Sequence, residues 1–149
     1  ERWQSVFCGL QCVKSSSLVL VHDAARPFAS PELFNRVLQA AMQYGAACCG
    51  MPLTDTLKEV NDLEMVQQTI PREKLWAIQT PQAFDTKALL RLMQDFSGKP
   101  HSTVPTDDAW FFEAAKLPVK IVLGEVNNRK VTYAEDLRWA QWYVDQDGQ

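Results

Sequence analysis

The chain has 149 residues, enough for one substantial core, and nothing in its length demands a second domain. Its formal net charge of −3 argues against a general nucleic-acid-binding surface, so an anionic ligand has to be met by a local cluster of Arg and Lys. No apolar run approaches membrane-spanning length, and the opening "ERWQSVFCGL" has neither the basic flank nor the long apolar core of a secretory signal.

Residues 3–13 read as a helix, weakened by Gly9. Leu18, Val19, Leu20 and Val21 form a short continuous apolar run, which suits a strand over 18–22 buried on both faces of a parallel sheet. Ser30 caps the next helix, with Pro31 in its first turn, and Gly45 ends it. Ala46 to Leu53 reads as a second buried strand, and "WAIQ" at 76–79 as a short third one. Asp85 caps a helix over 86–96 that stops before Gly98. "TDDAWFFEAAK" starts another helix, followed by the strand "VKIVL" at 119–123. Thr132 with Glu135 forms a capping box for the last helix, whose Leu137, Trp139, Ala140 and Tyr143 line one face. This alternation predicts a single α/β domain over 1–149 with a Rossmann-like, mainly parallel sheet flanked by helices.

One stretch breaks the alternation. "TDTLKEVNDLEMVQQTIPREKLW" alternates apolar and polar residues on both sides of a turn-like "NDLE", which predicts a β-hairpin over about 56–70 within an arm over about 54–74. A hairpin with no layer to cover it is barely stable alone, so it is expected to pack on something such as a second subunit. A flexible surface loop is the alternative reading. The four cysteines have neither zinc-site nor CxxC spacing, and Cys8, Cys12, Cys48 and Cys49 read as small buried hydrophobes in a reducing compartment. Trp76, Trp110, Trp139 and Trp142 read as core or dimer-packing residues.

Chemistry in open α/β sheets gathers at the carboxyl ends of strands. The run "LVLVHDAARPF" would therefore place His22, Asp23 and Arg26 at the mouth of a crevice, or else form an ordinary strand-to-helix turn with a capping Asp. A nicotinamide-binding Rossmann protein is disfavoured, because no G-x-G-x-x-G occurs anywhere.

"VHDAARPF", "DTLK", "QTPQAF", "TDDA" and "NRKVTYAEDL" occur in the order and spacing of one enzyme family. Over essentially the whole chain the sequence resembles 2-C-methyl-D-erythritol 4-phosphate cytidylyltransferase, of the non-mevalonate isoprenoid pathway. It departs from that family in one large way. The family begins with a strand and a Gly-rich, basic loop that wraps the CTP triphosphate, and no stretch here matches it. The expectation is therefore a C-terminal portion of such an enzyme, nearly inactive alone.

The resemblance implies attack of the methylerythritol phosphate on the α-phosphate of CTP, with pyrophosphate expelled. Two anions meet in that reaction, so the site must supply positive charge and in-line geometry more than a covalent nucleophile. By the same resemblance Asp23 sits beside Mg²⁺ (or another divalent cation) and the reacting phosphates, and Mg²⁺ favours one or two carboxylates with phosphate oxygens. Arg26 and Arg72 resemble the family's phosphate-binding arginines. Lys130 resembles the lysine that steadies the pentavalent transition state. Thr56, Thr80 and Thr106 match threonines that hold the sugar-alcohol phosphate or its chain, while Ser5 and Ala24 match positions at the nucleotide. Asp107 is a weaker second carboxylate on the metal side. The resemblance further implies a homodimer through the arm, and a cytoplasmic location (plastid-type organelle in a eukaryote).

Each residue also has a plainer reading. Thr106, Asp107 and Asp108 can simply cap a helix. Lys130 can be an exposed loop lysine, and His22 reads as structural because this mechanism needs no imidazole. Two other functions stay open: ribitol 5-phosphate cytidylyltransferase, a relative sharing "HDA" and "TPQ", and a non-catalytic dimerising fragment that cannot hold CTP.

Overall fold

The computed structural model describes residues 1–98, 100 and 103–147. In chain order it runs α1 (Arg2–Gln11), β1 (Leu18–Val21), α2 (Pro31–Tyr44), β2 (Ala46–Pro52), β3 (Leu57–Val60) and β4 (Val66–Ile70). There follow β5 (Trp76–Asp85), α3 (Thr86–Ser97), α4 (Trp110–Ala114), β6 (Lys120–Leu123) and α5 (Ala134–Asp147).

The main sheet has the order β1-β5-β2-β6. β2 pairs parallel with β6, while β5 pairs antiparallel with both β1 and β2. β1, β2 and β6 thus share the direction expected of a mainly parallel sheet, and β5 runs against them from an inner position. The cause is the arm. β3 and β4 carry the chain out and back, Leu53 N donates to Leu75 O at 3.1 Å where it returns, and β5 therefore re-enters beside β2 in the opposite sense.

β5 is also much longer than "WAIQ" suggests. Cys48 lies opposite Gln82 and Cys49 opposite Gln79, so Thr80 and Pro81 bulge out of the ladder. A bulge accommodates the missing N–H of proline, which is why the strand passes through Pro81 instead of stopping. The Thr80–Pro81 peptide is cis.

Successive strand residues face opposite layers, and the core splits accordingly. Ala46, Cys48 and Phe84 meet Trp3 and Leu10 of α1, Leu89 and Met93 of α3, and Phe111 and Phe112 of α4. Ala47, Cys49 and Ala83 meet Leu33, Val37 and Ala41 of α2 on the other face. The caps form as their residues dictate. Ser30 Oγ accepts from Leu33 N at 3.0 Å, Asp85 Oδ1 accepts from Ala88 N at 2.8 Å, and Gly45 closes α2 with φ +83°, a left-handed conformation that favours glycine.

Three expectations are corrected. Cys8 and Cys12 are exposed, because α1 turns Trp3 and Leu10 inward and carries these two on its outer side; only Cys48 and Cys49 are buried. The Thr132–Glu135 box does not form. Asp136 instead accepts from Thr132 N at 3.0 Å and Tyr133 N at 2.9 Å. On α5, Leu137 is exposed and Trp142 with it, whereas Ala140 is buried and Trp139 and Tyr143 pack edge-on against Phe28.

β3 and β4 form the expected hairpin as a two-stranded sheet of their own, with Leu57 opposite Ile70. Asn61 Oδ1 shapes its turn by accepting from Leu63 N and Met65 N, both at 3.0 Å. Val60, Leu63, Met65 and Val66 stand exposed on it. Among the described residues no helix is long and apolar enough to cross a membrane.

Phe84 is fully buried and stacks on Phe112 with ring centroids 5.2 Å apart, so it joins β5 to α4 at the centre of the larger core. Phe84→Ala should lower unfolding stability by about 3–5 kcal/mol in denaturant titration. A loss under about 1 kcal/mol would contradict this packing.

Candidate functional site

Three polar side chains of β5 each hold a different loop. The Gln79 amide donates from Nε2 to Glu125 O at 3.0 Å, and its Oε1 accepts from Glu125 N at 3.2 Å and Asn128 Nδ2 at 3.2 Å. Fully buried Asn128 also donates to Thr80 O at 2.8 Å. Farther along, Val131 N donates to Ala25 O at 2.8 Å, so the segment carrying Lys130 is tied at both ends. Gly124 N donates to Gly50 O at 2.7 Å at its start, and a Cβ on Gly124 would run into the Gln79 side chain.

Thr80 holds the loop after β1. Its Oγ1 accepts from Asp23 N at 2.9 Å and lies 3.0 Å from His22 Nδ1. His22 Nε2 faces the Arg26 carbonyl at 2.9 Å. A carbonyl only accepts, so Nε2 carries a proton, and in the neutral ring Nδ1 then accepts the hydroxyl proton of Thr80. His22 is structural, as expected, with its ring packed edge-on against Phe34.

Gln82, fully buried, holds the third loop. Its Oε1 accepts from Asp108 N at 3.2 Å and Ala109 N at 3.1 Å, and its Nε2 donates to Asp107 Oδ2 at 2.9 Å. Asp107 Oδ1 accepts from Trp110 N at 3.1 Å and so satisfies the first N–H of the short helix α4, whose N-cap position is Ala109.

The loops enclose a cavity of about 280 Å³. Asp23, Arg26, Thr80, Thr106, Asp107 and Lys130 all line it, as do Arg2, Ile78, Gln79 and Gln82. Asp23 Oδ2 accepts from Lys130 Nζ at 3.0 Å, and Asp23 Oδ1 accepts from Arg2 Nε and Nη2, both at 3.3 Å. Arg2 Nη2 also lies 2.8 Å from Oδ2 of Asp108, whose side chain is completely buried. Arg26 donates from Nη1 to Asn128 O at 2.9 Å and from Nη2 to Ile78 O at 3.5 Å, leaving one N–H on each nitrogen for a ligand.

Four of the expected residues stand elsewhere. Ser5 on α1 and Ala24 beside Asp23 are exposed and do not line the cavity. Thr56 and Arg72 belong to the arm, where Arg72 Nη1 donates to Thr54 O. Sequence reasoning missed Arg2, Gln79, Gln82, Asn128 and the buried Asp108 pairing. Three of these carried a signal. Gln79 and Gln82 belong to "QTPQAF", and Asn128 stands two residues before Lys130 in "NNRKVT".

Among the described residues no group of three or more His, Cys, Asp or Glu side chains converges as a metal cluster. Asp23 and Asp107 are the carboxylates that line the cavity, and both oxygens of Asp23 are engaged by Arg2 and Lys130.

Burial raises the pKa of Asp23, but the Lys130 hydrogen bond and the Arg2 charge outweigh it and hold the carboxyl below its ordinary value. Burial raises the pKa of Asp108, and Arg2 only partly opposes it. The signs for stability are opposite. Asp23 adds stability present above its unfolded pKa and lost as pH falls through its folded one, whereas the Asp108 contribution is lost as pH rises through its folded pKa. Carboxyl ¹³C NMR should find Asp23 titrating below, and Asp108 above, the usual value of about 3.9. The reverse order would contradict this arrangement of cations.

The chain is similar to known proteins over nearly its whole length. The family model described as IspD: 2-C-methyl-D-erythritol 4-phosphate cytidylyltransferase matches residues 1–146. The cytidylyltransferase of that name from Geobacillus thermodenitrificans is 43% identical over 141 residues, covering 95% of this chain and 60% of the relative. The one from Nostoc punctiforme is 40% identical over 148 residues, 99% of this chain and 64% of the relative. The crystal structure of 4-diphosphocytidyl-2C-methyl-D-erythritol synthase from Anaerococcus prevotii superposes with a TM-score of 0.88 at 36% identity, covering 97% of this chain and 64% of that one. The chain thus spans about 60% of the length of the curated relatives it matches. Matched from end to end in sequence and in fold, the chain belongs to the 2-C-methyl-D-erythritol 4-phosphate cytidylyltransferase family.

Proposed function

We propose that a full-length protein carrying this chain transfers the cytidylyl group of CTP to 2-C-methyl-D-erythritol 4-phosphate, releasing pyrophosphate. The observation that carries the reading is the cavity where Arg2, Arg26 and Lys130 converge around Asp23, in a chain whose relatives bear that enzyme's name. Six relatives at 40–43% identity carry the methylerythritol phosphate name, which favours this acceptor over ribitol phosphate.

In this reading Lys130 exchanges Asp23 for the α-phosphate as negative charge builds on its equatorial oxygens. Its half-exposed ammonium can make that exchange at low cost. Arg26 offers its free N–H groups to the acceptor phosphate. Thr106 completes the wall, and Thr80 contributes once its hydroxyl turns from His22. Asp23 would hold Mg²⁺, which when bound neutralises phosphate charge. Ser5 and Ala24 serve the nucleotide from the exposed rim. The reading places the protein in the cytoplasm as a homodimer. Arg72 and Thr56 stand away from their own chain's cavity, which supports the arm delivering them to a partner's site.

The direct test follows pyrophosphate release with CTP, methylerythritol phosphate and Mg²⁺. The full-length protein should turn over, whereas this chain alone should stay near background, because the family's Gly-rich triphosphate loop is not among its 149 residues. Lys130→Ala should cut kcat by about 10²–10³-fold with little change in CTP affinity, the pattern of an interaction made mainly in the transition state. Lys130→Arg should also be impaired, since a guanidinium keeps the charge and misplaces it. A normal kcat in folded Lys130→Ala would make Lys130 an ordinary loop lysine.

Sharing between subunits has its own test. Asp23→Ala chains mixed with Arg72→Ala chains give one intact site per mixed dimer, so activity should return. A mixture as dead as either variant alone would place Arg72 at its own chain's site.

A further inference from the structure

Arg2 and Lys130 grip the same carboxylate from two sides, yet only one of them is free to let go. Lys130 is 47% exposed, and Asp23 is its only ion-pair partner among the described residues. A half-exposed ammonium exchanges one anionic partner for another at little cost, because water screens both states. Arg2 is held differently. Its Nη2 sits 2.8 Å from Asp108, which is fully buried and whose Oδ1 has no hydrogen-bond partner among the described residues. Withdrawing Arg2 would strand that buried charge, one of the costlier changes a protein interior can undergo.

The backbone beneath Arg2 is fixed as well. Trp3, the next residue, is buried and packs edge-on against Phe96 with ring centroids 5.3 Å apart, which seats the first turn of α1 on α3. The guanidinium then spans two carboxylates at once, with Nη2 against both and Nε adding a second contact to Asp23 in a fixed plane that a lysine ammonium lacks. Asp108 also cancels the charge of Arg2, so Arg2 brings the cavity a fixed direction more than a net positive charge.

We propose that Arg2, anchored by buried Asp108, is the positioning residue that keeps the Asp23 carboxylate aimed into the cavity while Lys130 turns to the phosphates. The inference rests on the cytidylyl-transfer reading for what Asp23 is positioned to do, and on the geometry alone for what positions it.

The test compares Arg2→Gln, Arg2→Lys, Asp108→Asn and the Arg2→Gln/Asp108→Asn double variant in the full-length protein. Arg2→Gln leaves Asp108 buried and unpaired, so its Tm should fall by roughly 10 °C. Its kcat should fall by about 10–100-fold, with KM for both substrates within about threefold, as expected when a reacting group is misplaced while substrate binding is preserved. Arg2→Lys should recover part of kcat. In the double variant the neutral amide no longer needs a cation, so most of the Tm returns, yet kcat stays low because nothing aims Asp23. If kcat returned together with Tm, Arg2 would be only a counter-ion for Asp108, and the inference would be overturned.

Crystal structures decide the point without an assay. In Lys130→Ala the Asp23 carboxylate should stay within about 0.5 Å of its place, and in the double variant it should leave that place. The opposite pattern overturns the inference. Should the unaltered full-length protein release no pyrophosphate, the cytidylyl-transfer reading fails, and the position of Asp23 in these structures still decides whether Arg2 holds it.

Discussion

Where β5 bulges at Thr80 and Pro81, the side chains of Gln79, Thr80 and Gln82 leave the ladder's regular alternation and reach three separate loops. A regular strand would point residues two apart to one face and the residue between them to the other. The bulge, together with the inner position of β5, lets one short stretch of chain govern the loop after β1, the loop before α4 and the loop after β6. Each depends on buried or half-buried amide or hydroxyl hydrogen bonds, which cost more to leave unmade than they contribute when made. Loss of Gln82 would free the backbone N–H groups of Asp108 and Ala109 together, so the loop positions are coupled.

The charges around the cavity follow from that scaffold. Cations and carboxylates alternate across it, and Asp23 lies between Arg2 and Lys130. Such a ring is balanced without ligand and becomes cation-rich toward phosphate only where a cation can release its carboxylate. Exposure decides which one that is. Glu125 plays a quieter part on the far side, accepting from Ser30 N and Oγ and from Arg36, and so fastens the start of α2 to the segment that carries Lys130.

Much of this was legible in the sequence. Strands, helices and caps at Ser30, Gly45 and Asp85 follow from local chemistry that acts within a few residues, and the hairpin follows from its alternation. The motif residues Asp23, Arg26, Thr80, Thr106 and Lys130 meet in one cavity although the chain separates them widely. What escaped depends on long-range placement. The reversed direction of β5 comes from where the arm returns the chain, and no pattern within "WAIQTPQAF" announces it. The Arg2 contact to Asp108 joins residues far apart in the chain through the packing of Trp3. The exposure of Leu137, Cys8 and Cys12 shows the same limit: a period fixes which residues share a face, and packing decides which face turns inward.

The hairpin of β3 and β4 shares no ladder with the main sheet. Its amide protons are therefore shielded by one partner strand and a turn, whereas those of β2 and β5 lie between neighbours under helices on both sides. Opening the arm requires no disturbance of either core, so in the separate chain it frays on its own, far below the free energy of global unfolding. Hydrogen exchange across the molecule would then fall into two tiers, and a protease given the separate chain would find its first cut near Leu63 and Glu64 long before the body yields.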